Sequence, residues 1–168
     1  ADLGSGAGFP GLVLAAELPH ARVDLVESVS RKCAFMKRAI AAMGIANAEV
    51  RCARAEELGA PGSAQRESYD AVTARAVAPL AVLAELASPL LRPGGVLVAW
   101  KGARDPAEER SALRAAAGTA VEPATVLPVR PYPASRDRHI HVLRKNGPTP
   151  DGIPRRPGMA AKRPFGSE

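Results

Sequence analysis

Between Asp2 and Gly11 the chain reads Asp-Leu-Gly-Ser-Gly-Ala-Gly-Phe-Pro-Gly, and few folds can use such a stretch. It reads as the end of a buried strand, a glycine-rich turn and the first turn of a helix over 11–18. Glycine allows the backbone to approach a ligand closely and to take conformations closed to other residues. The helix that follows aims its unpaired N–H groups into the turn. Such a loop holds a nucleotide-like cofactor. The next strand, 22–27, ends in Glu27, where a carboxylate can accept hydrogen bonds from ribose hydroxyls.

A central strand runs to about five residues, yet only Ala1, Asp2 and Leu3 precede the turn, and the first residue is not Met. The expectation is that a further N-terminal segment, including most of the first strand, belongs ahead of residue 1.

Beyond the loop, strands and helices alternate. Strands are expected at 22–27, 48–52, 69–73 and 96–100, and helices at 30–44, 79–91 and 106–117, with a helical turn at 55–58. The helix over 30–44 carries Ala34, Phe35, Ala39, Ala42 and Met43 at helical spacing as its apolar side, and Arg31, Lys32, Lys37 and Arg38 as its polar side. Arg92-Pro93-Gly94-Gly95 reads as a turn into the fifth strand. This alternation implies a parallel, doubly wound α/β sheet. Two more strands fall at about 121–129 and 138–144. Eight residues between them cannot hold a helical crossover, so the pair is antiparallel and ends a seven-stranded, mostly parallel sheet in a hairpin. That ending suits the class I, Rossmann-like S-adenosylmethionine-dependent methyltransferase fold better than a dinucleotide dehydrogenase. Residues 1–145 are expected to form that α/β domain. Residues 146–168 turn to Gly, Pro, Arg and Lys and read as a basic tail with little regular structure.

The net charge of +6 is placed unevenly. Residues 1–129 hold 14 basic and 14 acidic side chains, whereas residues 130–168 hold 9 and 3. A neutral core with a basic end is the asymmetry of a protein that meets a polyanion. No apolar run is long enough to span a membrane. Cys33 and Cys52 lack metal-ligand spacing; no metal is expected, and the chain reads as a reduced cytoplasmic protein.

In order along the chain stand the Gly-Phe-Pro-Gly loop, Val26-Glu27-Ser28, Arg31-Lys32, Arg54-Ala55-Glu56-Glu57, Thr73-Ala74-Arg75-Ala76, Leu91-Arg92-Pro93-Gly94-Gly95 and Lys101-Gly102, followed by Pro154-Arg155-Arg156-Pro157-Gly158 and Lys162-Arg163-Pro164. Together they resemble the ribosomal small-subunit RNA methyltransferase G family, also called glucose-inhibited division protein B. The resemblance covers essentially the whole chain. It implies methyl transfer from S-adenosyl-L-methionine to nitrogen-7 of a guanine in 16S ribosomal RNA, with the RNA or the small ribosomal subunit as partner and a monomeric enzyme.

Several residue roles follow as expectations. Gly4, Gly6 and Gly8 cradle the methionine part of the cofactor, Phe9 packs at its edge, and Glu27 holds the ribose. By the resemblance, Ala55 and Glu56 lie beside the adenine. Arg75, at the end of the fourth strand, is the choice for the catalytic, positioning residue, on the cofactor carboxylate, the guanine edge or a phosphate. Lys101, Arg136, Arg138, Arg155, Arg156, Lys162 and Arg163, with Arg144 and Lys145, are candidates for RNA phosphates. Nitrogen-7 carries an in-plane lone pair and no proton, so alignment rather than a general base is what the reaction needs. Consistent with this, the segment after the fourth strand is Ala74-Arg75-Ala76-Val77-Ala78-Pro79, not the Asp/Asn-Pro-Pro-Tyr of amino-directed enzymes. Neither cysteine stands where a cytosine carbon-5 methyltransferase needs its nucleophile. The competing readings are a nicotinamide-dependent oxidoreductase using the same loop and Glu27, a small-molecule methyltransferase, and a non-catalytic RNA-binding fragment.

Overall fold

A computed structural model describes residues 1–166. In chain order its elements are β1 (Asp2–Leu3), α1 (Gly11–Glu17), β2 (Val23–Val26), α2 (Ser30–Met43), β3 (Ala48–Arg51), α3 (Ala55–Leu58), β4 (Tyr69–Arg75), α4 (Leu80–Ala87), β5 (Leu91–Lys101), α5 (Pro106–Thr119), β6 (Val121–Val129), β7 (Arg138–Lys145) and α6 (Met159–Lys162). The strands form one seven-stranded sheet in the order β3-β2-β1-β4-β5-β7-β6. The first five are parallel, while β7 runs antiparallel between β5 and β6. The expected α/β sheet with its terminal hairpin is therefore present. Strand order reverses between β1 and β4, and the carboxyl ends of strands at such a switch are where open α/β sheets bind ligands.

Alternation along β2 divides the core. Leu25 and Val23 pack with Leu12 and Ala15 of α1 and Met36 of α2. Val26, one residue on, faces the other layer, where Leu80, Leu83, Ala84 and Ala87 of α4 and Ala112 of α5 cover the centre of the sheet. Helix α4 is apolar nearly all round and is buried nearly all round.

Two local expectations are corrected. In α2 the buried side is Cys33 and Met36, with Ala39 and Ile40 half-buried, while Phe35 and Met43 lie exposed. The apolar stripe meeting the sheet is one step round the helix from the one that included the largest side chains. The helix expected at 79–91 stops at Ala87, and β5 starts at Leu91. The register shift between Tyr69–Leu91 and Ala71–Val96 absorbs Arg92 to Gly95 as an irregularity within the strand, with Gly94 at φ 84°.

The tail was expected to be basic and largely irregular. It has little regular structure apart from α6, but it is packed. Ile153 and Ala160 are buried. Thr149 bonds Glu67, and the Arg66 guanidinium donates to the Ile153 carbonyl. Phe165 lies against Gly118 of α5.

Candidate functional site

The glycine loop is closed by the residue that opens it. Asp2 is buried, and its carboxylate accepts from the Gly11 N–H at 3.1 Å and the Thr73 hydroxyl at 2.7 Å. One side chain thus ties the end of β1 to the start of α1 and to β4. Burial raises the Asp2 pKa, opposed by hydrogen bonds from Thr73, Ser5 and Gly11. The sequence reading gave Asp2 no role; its signal was an acid in the position before a buried Leu and a glycine turn.

Within the loop, glycine is required for two distinct reasons. A Cβ on Gly8, at φ 94°, would sit 2.3 Å from Leu12 Cδ1, so the turn lies flat on α1. Gly6, at φ 58°, has only the Gly4 carbonyl near a Cβ, at 3.7 Å, so its open side is free for a ligand.

Glu27 follows the end of β2. It is largely buried, and it accepts from the Gly6 N–H at 3.1 Å and the Val29 N–H at 2.9 Å. The carboxylate therefore joins the loop to the start of α2 and keeps lone pairs for a further donor. It lines a pocket of about 240 Å³. Gly4 lies on one side of that pocket, Ala55 and Glu56 of α3 on another, and Val77 and Ala78 after β4 on a third. The expected ligands Gly4, Glu27, Ala55 and Glu56 are thereby brought together. Gly158, Ala160 and Ala161 of the tail supply another wall, and the Gly158 N–H donates to Glu56 at 3.0 Å.

Arg75 ends β4 in an exposed position and has no ion pair among the described residues. Its guanidinium lies 5.7 Å from the centroid of the Phe9 ring. Phe9 borders not the small pocket but a second cavity of about 960 Å³, which Arg75 and Ala76 also line. This cavity is walled by α1, the end of β5 and the loop between β6 and β7. Lys101 contributes to its wall, but its ammonium is paired with Glu108 at 2.6 Å and donates to the Ala78 carbonyl. Glu108 also accepts from the Leu80 N–H. The three groups fix the segment between β4 and α4, a positioning role that the expected RNA contact did not foresee.

Two basic residues expected to meet phosphate are consumed inside the protein. Arg155 pairs bidentately with Glu85 of α4, which is 2% exposed, and lies 4.2 Å from the Phe165 ring. Lys145 is fully buried. Its ammonium shares three N–H donors among four oxygens within 2.8 Å, on Glu67, the Ser88 and Leu91 carbonyls and the Thr149 hydroxyl. Burial pulls the Lys145 ammonium down, opposed by Glu67. Burial alone would raise Glu67, but hydrogen bonds from Lys145 and Thr149 outweigh it and hold the carboxyl at about 2. We take the pair as ionised, because four oxygens surround an ammonium that would otherwise be stranded. Arg136, Arg138, Arg144, Arg156, Lys162 and Arg163 are exposed.

Comparison with known proteins places these features in a family. The family described as rRNA small subunit methyltransferase G matches residues 1–139. Ribosomal RNA small subunit methyltransferase G of Lacticaseibacillus paracasei is 41% identical over 98% of this chain and 68% of its own length. The protein of the same name from Deinococcus radiodurans is 46% identical over 98% of this chain and 64% of its own. The chain thus spans about two thirds of these relatives. Among solved structures, the antibiotic-resistance methyltransferase Kmr superposes with a TM-score of 0.66 at 19% identity, over 88% of this chain and 86% of that one. A 16S rRNA (adenine(1408)-N(1))-methyltransferase from Catenulisporales acidiphilia, with cosubstrate S-adenosylmethionine, gives 0.66 at 18% identity, over 89% and 85%. At such identities the likeness is one of fold.

Proposed function

The chain belongs to the rRNA small subunit methyltransferase G family, and from that premise we propose that it transfers a methyl group from S-adenosyl-L-methionine to nitrogen-7 of a guanine in 16S ribosomal RNA. The observation that carries the reading is the pocket in which Glu27, Gly4 and Ala55–Glu56 converge beside the switch point of the sheet. The donor set fits the group. Glu27 offers carboxylate lone pairs to ribose hydroxyls, Val77 and Ala78 offer apolar surface to a base, and the open side of Gly6 admits the amino-acid end. The cofactor, when bound, supplies an electrophilic sulfonium methyl.

The chain's own residues supply alignment. Asp2 and Glu27 lock the loop and keep the pocket in one shape before binding, so little ordering remains for the encounter. The link from Lys101 through Glu108 to Leu80 holds the segment after β4. Arg75, at the end of β4, lines the large cavity, and the reading gives it the orienting of cofactor or acceptor. Nitrogen-7 needs no deprotonation, and the reading asks no side chain to act as a base. The exposed basic residues at the C-terminal end attract the RNA backbone. No helix among the described residues is long and apolar enough to cross a membrane. The reading takes the enzyme to be a cytoplasmic monomer acting on 16S RNA or the small subunit.

Calorimetric titration with S-adenosylhomocysteine, and with NAD in the same buffer, tests this. Binding of the first alone is expected. Binding of NAD alone would overturn the reading in favour of a nicotinamide enzyme, and binding of neither would remove the catalytic claim for this chain.

A further inference from the structure

The chain has two cysteines, and the fold brings both to Glu27. Cys33, in the first turn of α2, is 3% exposed, whereas Cys52, one residue past β3, lies open to solvent. Neither thiol has a part in methyl transfer to nitrogen-7. Strands β2 and β3 are parallel, so α2, which connects them, runs back against their direction. Its buried side lies on the layer that holds Leu25, with Val50 half-buried beside it. Met36 packs in that layer, and Cys33, about one turn earlier in the helix, lies over the carboxyl ends of the strands. Alternation along β3 turns Cys52 to the same side as Val50. The Cys33 thiol donates to the Glu27 carbonyl at 3.2 Å, and the Glu27 N–H donates to the carbonyl of Arg51, the residue before Cys52. Burial pushes the Cys33 thiol up to about 11, and its neighbour Cys52 is the next cause. Beyond Cys52 the chain runs directly into Ala53, Arg54, Ala55 and Glu56, which line the smaller pocket together with Glu27.

On the reading that the smaller pocket holds the methyl donor, we propose that Cys33 and Cys52 form an oxidation site for hydrogen peroxide, closing to a disulfide that weakens cofactor binding. Cys52 reacts first, because it is exposed and Cys33 is not. Its thiol gives its proton to solvent, and the thiolate sulfur attacks one peroxide oxygen. The S–O bond forms, the O–O bond breaks, and the departing hydroxide takes up a proton as water. The Cys33 sulfur then displaces the hydroxyl of the Cys52 sulfenic acid. The S–S bond forms, the S–O bond breaks, and the Cys33 proton leaves with the hydroxyl as a second water. Two thiols thus lose two electrons, and one peroxide becomes two waters. The raised Cys33 thiol suits the resolving role, since it stays protonated and inert to peroxide until a sulfenic acid stands beside it. Closure ties the start of α2 to the end of β3. It takes the Cys33 thiol from the Glu27 carbonyl and pulls on the segment that leads into Ala55 and Glu56, so two sides of the pocket are disturbed. In a reducing cytoplasm such a bond is transient and serves redox sensing rather than structure.

The reduced full chain is treated with hydrogen peroxide and then with iodoacetamide, and its mass is read. A mass short by two hydrogens, with neither cysteine alkylated, is expected. A peptide map without reductant should join the peptide of Cys33 to that of Cys52. Cys33→Ala should stop at the sulfenic acid and take up dimedone at Cys52. Calorimetry should find S-adenosylhomocysteine bound about tenfold more weakly after oxidation, an ordinary size for coupling between two sites, and dithiothreitol should restore the affinity. Cys52→Ser should bind like the reduced parent both before and after peroxide. The Glu57 and Leu58 amides, which bond the Arg54 carbonyl in the reduced chain, should exchange hydrogen faster once the disulfide closes. Two alkylated thiols after peroxide, a disulfide between two chains, or sulfinic acid at Cys52 would each overturn the site. A disulfide within the chain that changes neither affinity nor exchange would overturn its effect on the pocket. Failure of the reduced chain to bind S-adenosylhomocysteine counts against the methyltransferase reading, while the mass still decides the dithiol site and amide exchange still decides its reach into the pocket.

Discussion

Replacing Arg155 by Met tests whether the C-terminal segment is part of the folded protein and of its site, or an arm held out for RNA. In the structure the guanidinium is the only partner of Glu85 among the described residues, engaging both carboxylate oxygens. It also donates to the Arg163 carbonyl and lies over Phe165. Arg155→Met strands a carboxylate that is 2% exposed within an apolar helix. Breaking a buried pair on one side costs about 3–5 kcal/mol. For a domain of this length each kcal/mol lowers the melting temperature by roughly 2–4 °C, so a fall of about 6–20 °C is expected. Glu85→Leu with Arg155→Met removes both charges and should recover most of that loss, because the penalty lies in desolvating an unpaired charge. Thermal melts by circular dichroism at pH 7 measure both. The same single variant should bind S-adenosylhomocysteine more weakly, since release of the tail removes the wall formed by Gly158, Ala160 and Ala161. A single variant melting within about 2 °C of the parent would refute the buried-pair argument. So would a double variant no better than the single. Normal stability with loss of RNA binding alone would return Arg155 to the RNA-contacting set.

Arg75→Ala should leave the melting temperature within about 1 °C, since the side chain is exposed and carries no ion pair among the described residues, but should cut methyl transfer about 100-fold or more through lost alignment; a turnover assay with labelled cofactor decides it. In urea unfolding, Gly6→Ala should cost only the left-handed backbone term of about 1–2 kcal/mol. Gly8→Ala should cost more, because its Cβ meets Leu12 at 2.3 Å. Equal losses would contradict that distinction. Glu67, held at about 2 against an ordinary 4.5, contributes stability that is full above pH 4.5 and lost as pH falls toward 2. Discounted for solvent screening of a Glu67 side chain that is 31% exposed, the loss is about 2 kcal/mol, and Glu67→Gln should flatten the pH dependence of unfolding over that window.

Element order was legible because the apolar runs change period cleanly between strands and helices, and because eight residues between the last two strands leave no room for a crossover. Glu27 was legible because a strand, a glycine turn, a helix and a second strand fix where the second strand ends. The buried face of α2 was not, because Phe35 and Met43 are the more apolar choice while Cys33 and Met36 are the ones the sheet meets. Nor was Asp2, whose partners Gly11 and Thr73 are 9 and 71 residues away. The start of β5 was hidden by Pro93-Gly94-Gly95, a turn signal that the sheet absorbs through a register shift.

The basic end shows why a charge count over-reads. Nine basic residues after 129 suggest nine phosphate contacts, but Lys145 and Arg155 are drawn inward by Glu67 and Glu85. The sequence did carry a signal for each. Glu85 is the one charge in Leu-Ala-Val-Leu-Ala-Glu-Leu-Ala, a helix with no polar face, and a buried carboxylate in such a helix demands a cation from elsewhere in the chain. Lys145 closes a strand whose alternate residues, His141 and Leu143, point inward, so its own position is inward as well. Reading the acids of the core first, and assigning each a basic partner, would have removed two residues from the RNA-facing set and tied the tail to α4. The cations that remain exposed at this end are Arg130, Arg136, Arg138, Arg144, Arg156, Lys162 and Arg163. Of these Arg138 lines the large cavity, so the salt dependence of RNA binding should follow that smaller set rather than the whole charge of the segment.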